Sequence, residues 1–193
     1  HKPDPTVPIA DTLGALDELG RAGKVREIGC SNFTAEQLRE AEKAAGSGAR
    51  FVSVQNEYSL LHRAPETDGV LEECRRQGMA FLPYFPLASG LLTGKYRKGQ
   101  PPPQGSRIGD VDRFSELLSE KNLETVEKLI AFSEARGHTI LELAFTWLLA
   151  RPSVASVIAG ATSPEQIRSN ASVRWTLSPE EIKEVDGILS AAG

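Results

Sequence analysis

The stretch from Val7 to Phe33 sets the rhythm of the whole chain. Ile9, Leu13, Leu16 and Leu19 recur at helical spacing, and Gly20 and Gly23 close the segment, so a helix is predicted there. A strand over Val25–Gly29 follows at once. The cycle then repeats: TAEQLREAEKAAG predicts a helix and FVSVQN a strand, PETDGVLEECRRQG a helix and AFLPYFP a strand. Near the end, TILELAFTWLLAR predicts a helix and SVIAGA a strand over 156–160. Strands alternating with helices at roughly 25–30 residues per unit are the pattern of βαβ units around a parallel sheet. The fold class is α/β.

Two stretches break that rhythm. LASGLLTGKYRKGQPPPQGSRIGDVDRF is a Gly/Pro-rich connection longer than an ordinary βα loop, and 88–120 is read as a lid-like loop. The tail SPEEIKEVDGILSAAG adds a further helix over 178–190, with Ser178 as N-cap, Pro179 in the first turn and Glu181 completing a capping box. With 193 residues and 40% hydrophobic content, the chain is read as one domain over 1–193 with a core of its own.

Charge narrows the partners. The 22 basic and 26 acidic residues are interspersed, giving a net charge of -4 and no basic field for nucleic acid or an anionic membrane. No apolar run is long enough to span a bilayer. Cys30 and Cys74 lack the spacing of a zinc or redox motif, and a reducing cytoplasm is the expected compartment. No pair among His1, His62 and His138 has metal-ligand spacing, so no metal site is expected.

Polar residues collect directly after the strands: Cys30-Ser31-Asn32, Gln55-Asn56-Glu57-Tyr58, Tyr84-Phe85-Pro86 and Gly160-Ala161-Thr162. In a parallel α/β sheet these positions share the carboxyl edge, where such sheets bind ligands. Taken singly, each also serves as a polar loop or helix start. Thr34 with Gln37 and Ser163 with Gln166 have the spacing of capping boxes.

Taken together, GKVREIGCSNF, VSVQNEYSLL, PYFPLASGLLTGKY and VIAGATSPEQIRSN, in this order, resemble the aldo-keto reductase family over essentially residues 1 to 190. The resemblance implies a (β/α)8 TIM barrel, of which this chain supplies strands 5 to 8 with their helices plus a C-terminal extra helix. It also implies NADPH held across the mouth without the Rossmann glycine fingerprint, and no G-x-G-x-x-G follows any predicted strand. GLLTGKY is one residue short of a P-loop and places Tyr96 where Ser or Thr should hold Mg²⁺.

Carried over by position, the resemblance places Ser31, Asn32 and Gln55 on the nicotinamide carboxamide, a group needing both a donor and an acceptor. Tyr84 is implied to stack under the nicotinamide ring. Phe85, Leu87, Ser89 and Gly90, with Lys95, flank the pyrophosphate. The helix after Gly160 meets the adenosine phosphate through Thr162, Gln166, Arg168 and Asn170, because free N–H groups favour anions there. Many family members carry a Lys or Arg near Gly160 and an Arg at Gln166. Here the nearest cation is Arg168, which weakens the preference for NADPH and leaves NADH possible. NADPH is the expected cofactor.

A histidine followed by a proline ends the fourth strand of the family's barrel, and His1 matches it as the catalytic residue that orients the substrate carbonyl. The chain is accordingly expected to be truncated. The family's Asp, Tyr and Lys of proton transfer then lie upstream, so this chain alone is expected to be inactive. The strands at 25–29 and 156–160 are expected to leave sheet edges open to the missing barrel half or another chain. The implied function is NAD(P)H-dependent reduction of an aldehyde or ketone by hydride transfer. The alternative is a non-catalytic nucleotide-binding module of the same fold, resembling potassium-channel β subunits.

Overall fold

A computed structural model describes residues 1–110 and 112–191. The lid over 88–120 includes Val111, and the single domain over 1–193 includes Ala192 and Gly193, which lie outside the described residues. The chain divides into two compact units. The first comprises His1–Glu57, Arg63–Tyr84 and Pro152–Ser156; the second comprises Tyr58–His62 and the described residues of 85–151 and 157–193.

The first unit carries the sheet. Helix α1 (Ile9–Arg21) leads to β1 (Ile28–Ser31), α2 (Ala35–Ala45), β2 (Phe51–Gln55), α3 (Ala64–Thr67), α4 (Val70–Gln77) and β3 (Ala80–Phe81). The strands run parallel in the order β1-β2-β3. An α/β unit with parallel strands is what the sequence rhythm predicts. Leu38 from α2, Val70 and Cys74 from α4, and Val54 and Phe81 from the sheet are buried among them. Each large apolar side chain removed from water contributes about 1.5–3 kcal/mol. Phe33 and Phe51 meet edge to face, with ring centroids 5.5 Å apart.

Charge joins the two central helices of this unit. The side chain of Glu73 on α4 is only 5% exposed, and its carboxylate accepts from Arg76, Gln77 and Arg39 of α2. Arg76 reaches on to Glu42 of α2. The Arg76 hydrogen bond holds the Glu73 carboxyl below its usual range, helped by Gln77 and Arg39 and opposed by burial.

The elements differ from their predicted extents for local reasons. The first strand begins at Ile28 rather than Val25: Val25, Arg26 and Glu27 are exposed, and the register slips between Ile28 and Gly29. The helix predicted across 65–78 is two helices, because Gly69 at φ 84° turns the chain and Asp68 caps the Val70 amide. The third strand stops at Phe81, since Pro83 and Pro86 have no amide to give a ladder. No strand forms at 156–160; instead Val154 makes a parallel bridge to Phe81. Phe81 donates to the Ser153 carbonyl at 2.7 Å, and Ala155 donates back to Phe81 at 3.2 Å. The returning chain meets a two-residue strand, and one bridge is all that strand supports. Of the two edges expected open, the one at 156–160 has no strand to carry it, and β1 pairs with β2 alone among the described residues.

The second unit is helical. It holds 3-10 turns at Ala88–Thr93 and Asp112–Leu118, α5 (Arg107–Asp110), α6 (Glu120–Glu134), α7 (Ile140–Leu149), α8 (Pro164–Ala171) and α9 (Pro179–Ser190). Thr139 and Ser178 open α7 and α9 with full capping boxes. Its core includes Leu91, Leu92, Tyr96, Leu129, Leu143, Trp147 and Leu148, with Tyr58 tilted against Trp147 at 5.3 Å. Asp186 of α9 accepts from Trp147 Nε1 at 3.2 Å and from Arg151 at 3.0 Å, while the Arg151 guanidinium lies 4.2 Å over the Trp147 ring.

Candidate functional site

At the carboxyl end of β1 and β2, His1, Ser31, Asn32, Gln55, Asn56 and Tyr84 tie into one cluster through side chains or backbone. Asn32 follows β1 in the left-handed region, at φ 62°. Asparagine tolerates that conformation better than most residues. Its amide is held by two acceptors, the Gln55 carbonyl at 3.0 Å and Asn56 Oδ1 at 2.8 Å. Its side chain is thereby aimed: Nδ2 donates to the His1 carbonyl and to Ser31 Oγ, both at 3.1 Å, while Oδ1 accepts from the Tyr84 hydroxyl at 2.7 Å. Ser31, buried, donates its hydroxyl to the Gln55 carbonyl at 2.7 Å. Tyr84 is held by a parallel bridge to Glu57 and a hydrogen bond from its amide to the Asn56 carbonyl at 3.1 Å.

Five residues from the sequence reading, His1, Ser31, Asn32, Gln55 and Tyr84, therefore meet at one edge of the first unit. Asn56 belongs with them and was not singled out. Its Nδ2 donates to the Phe33 carbonyl at 3.0 Å while its Oδ1 holds Asn32, so it clamps the turn that presents the Asn32 amide. The signal was present as a second amide residue directly after Gln55. Burial raises the Tyr84 phenol above its usual value, with the Glu57 carboxylate adding to the effect. Burial also pushes the Cys30 thiol beside this cluster up to about 12.

The other named positions lie in the second unit and form two groups. Phe85, Ala88 and Ser89 all have positive φ (53°, 45° and 57°), and Gly90 has φ 102°. Leu87 turns this segment, its carbonyl accepting from Gly90 at 2.8 Å and Leu92 at 3.2 Å. Lys95 folds over Gly90 so closely that a Cβ there would lie 3.4 Å from its Nζ, and the ammonium stands 5.2 Å from the Tyr96 ring centre. Around Gly160, the chain is exposed and irregular before α8. Ser163 Oγ accepts from the Gln166 amide, yet the capping box expected of this pair is incomplete. Gln166 Oε1 accepts instead from the Thr162 amide at 2.7 Å and the Thr162 hydroxyl at 3.1 Å. Arg168 lies 3.5 Å from Glu165, both well exposed, and Asn170 is half-buried.

A sequence model of the Aldo/keto reductase family matches residues 1–190, and this chain belongs to that family. It is 36% identical over 165 residues to the NADH-specific methylglyoxal reductase of Escherichia coli (strain K12), covering 84% of this chain and 48% of that protein. It is 32% identical over 202 residues to a putative voltage-gated potassium channel subunit beta of Schizosaccharomyces pombe, covering 98% and 58%. Among solved structures, the glycerol dehydrogenase AKR11B4 of Gluconobacter oxydans superposes with a TM-score of 0.83 at 30% identity, covering all of this chain and 57% of that one. The chain spans about half the length of the relatives it matches.

The donor set at the β1–β2 edge fits a nicotinamide cofactor. A carboxamide offers one acceptor and two donors, and Asn32 and Gln55 carry the complementary amide groups on adjacent strand ends, with Ser31 opposite Gln55 in the register. The Tyr84 ring stands at the same edge.

Proposed function

We propose that this chain forms the nicotinamide-holding part of an aldo-keto reductase barrel that reduces aldehydes or ketones to alcohols, with NADPH as the first choice of cofactor and NADH as an alternative. The observation that carries this reading is the Asn32 side chain, fixed by its turn and shared between His1, Ser31 and Tyr84. A bound reduced nicotinamide supplies the hydride that reaches the carbonyl carbon. Ser31, Asn32 and Gln55 orient the carboxamide, Asn32 exchanging its present partners for it. Tyr84 provides the ring platform, and the His1 imidazole directs the substrate oxygen. Phe85, Leu87, Ser89, Gly90 and Lys95 flank the pyrophosphate; Lys95 supplies the charge. Gly160, Thr162, Gln166, Arg168 and Asn170 take the adenosine end.

Reduction also needs a proton on the carbonyl oxygen. Tyr58 and Tyr96 are buried, and the Tyr84 hydroxyl is donated to Asn32 with its acidity lowered by burial, the opposite of what a proton donor at neutral pH requires. Positioned acids contribute about 10²–10⁴ in rate. The 193 residues by themselves therefore bind cofactor without appreciable turnover. The same separation of binding from turnover describes a nucleotide-binding regulatory module, a reading supported by the likeness to a protein named as a channel β subunit.

Titration with NADPH and NADH, followed by quenching of protein fluorescence, tests the reading; 4-nitrobenzaldehyde reduction at 340 nm tests turnover. Saturable quenching that Asn32→Ala weakens supports it. Absence of binding for both nucleotides by a folded chain overturns it.

A further inference from the structure

The strap that carries Lys95, residues 94–98, is tied into the second unit at several points. Gly94 sits so close to α7 that a Cβ there would lie 3.3 Å from Ile140 Cγ2. Tyr96 is buried, and its hydroxyl accepts from the Ile108 amide at 3.3 Å. The next two residues meet α6. Arg97 gives Nε and Nη2 to the two oxygens of Glu127, at 2.8 and 2.7 Å, and the Lys98 amide adds a third bond to Oε1 at 3.1 Å. Lys98 Nζ reaches Glu124 at 2.6 Å and Glu120 at 3.1 Å. The Arg97 hydrogen bond holds the Glu127 carboxyl below its usual range against the effect of burial, and the Lys98 amide helps. Among the described residues, Arg97 and Lys98 are thus committed to carboxylates while Lys95 is paired with none.

We infer that Glu127 is a positioning residue: from α6 it holds the strap so that the Lys95 ammonium stands over Gly90 as the strap's uncommitted positive charge, ready for a pyrophosphate. The ligand in this inference rests on the cofactor reading; the hold rests on the strap's own geometry. An exposed ion pair between two long side chains contributes little, because both tips move. Glu127 differs in two ways. Its bond to Arg97 is bidentate, which fixes the plane of the guanidinium, and its third donor is main chain. The carboxylate therefore fixes the backbone three residues from Lys95, not only a side-chain tip. Glu120 and Glu124 take only the Lys98 ammonium, a point charge on a flexible stem. The pairing also acts by subtraction. An Arg97 released from Glu127 is a second loose cation two residues from Lys95, free to draw the same anion into another geometry.

Two measurements on the folded chain test it. Amide hydrogen exchange across 94–98 without ligand reads the hold, and NADPH affinity from fluorescence quenching reads its consequence. Glu127→Gln and Arg97→Gln are each expected to speed that exchange about tenfold and to weaken NADPH binding about three- to tenfold, whereas Glu124→Gln does neither. In a Lys95→Ala background the effect of Glu127→Gln on affinity is expected to vanish, because a residue acting through Lys95 then has nothing to position. A purely structural role lowers affinity equally in both backgrounds, and that result overturns the inference. So does unchanged exchange in Glu127→Gln, or the same acceleration in Glu124→Gln. A folded parent that binds neither NADPH nor NADH overturns the cofactor reading instead, and the exchange comparison then decides by itself whether Glu127 holds the strap. Arg97→Gln removes the same pair without releasing a cation, so the test stands even where Glu127→Gln fails to fold.

Discussion

The Tyr84 hydroxyl donates to Asn32 Oδ1 at 2.7 Å across 52 residues of sequence, joining the chain after β3 to the turn after β1. That bond helps fix which way the Asn32 side-chain amide points. Tyr84→Phe removes the bond and keeps the ring, so stability falls by about 1 kcal/mol and NADPH affinity changes little. Tyr84→Ala removes the platform as well and lowers NADPH affinity about tenfold. Chemical denaturation and fluorescence titration of the two variants separate bond from ring; equal loss of affinity in both counts against the platform.

Asn32 sits at φ 62°, which a side chain without asparagine's local hydrogen bonding occupies at a cost. Asn32→Ala is therefore expected to be about 1 kcal/mol less stable than Asn32→Gly, although both lose the same amide. Thermal melts give the stability order. Nucleotide affinity falls equally in both.

Gly29 lies against the neighbouring strand. A Cβ there would stand 2.4 Å from Ser53 Oγ and 3.1 Å from the Ser53 carbonyl oxygen. The hydroxyl can rotate away, but the carbonyl belongs to the ladder. Gly29→Ala is expected to cost about 1–3 kcal/mol, and Ser53→Ala to recover only part of it. A double-mutant cycle by urea unfolding measures that coupling.

Glu73 makes stability depend on acid. Its carboxyl is held below the usual value of 4.5 in the folded state, mainly by Arg76, so the unfolded chain takes up the proton first as pH falls. Its contribution is complete above that value and is lost as pH drops through the folded value. Glu73→Gln is expected to cost about 2 kcal/mol at pH 7, with the gap to the parent narrowing as the pH is taken below 4.5. Urea melts along a falling pH series give the difference; a gap that stays constant all the way to acid unfolding counts against ionisation as its source.

Burial pushes the thiols of both Cys30 and Cys74 up to about 12. Thiolate is the reactive form, so at pH 8 the native protein should resist iodoacetamide and label at both positions only when unfolded. Intact-mass measurement counts the adducts.

Much of the first unit was legible in the sequence because its periodicities are local. The Leu13, Leu16 and Leu19 spacing and the Thr34–Gln37 box state their helices within a few residues, and β2 is found within FVSVQN as read. Strand lengths were less legible, since pairing depends on distant partners. SVIAGA has strand composition, but the segment that pairs is Ser153–Ala155, because Phe81 offers one amide and one carbonyl at that register. At the site, polar residues after the strands were legible as a cluster, and the family resemblance singled out Asn32, Gln55 and Tyr84 within it. The role of Asn56 was hidden, because a side chain that supports a neighbour's backbone leaves the same mark as any polar loop residue. The Thr162–Gln166 bond was equally unreadable, since a cap glutamine has two amides within reach and geometry alone selects between them.

The short return of Pro152–Ser156 to Phe81 means that the site-bearing unit is not one uninterrupted stretch of the gene. A recombinant fragment ending at Tyr84 would carry His1, Ser31, Asn32 and Gln55 yet leave the Phe81 amide without its acceptor. Shuffling this half into chimeras thus requires a breakpoint beyond Ser156, or a five-residue graft supplied in trans.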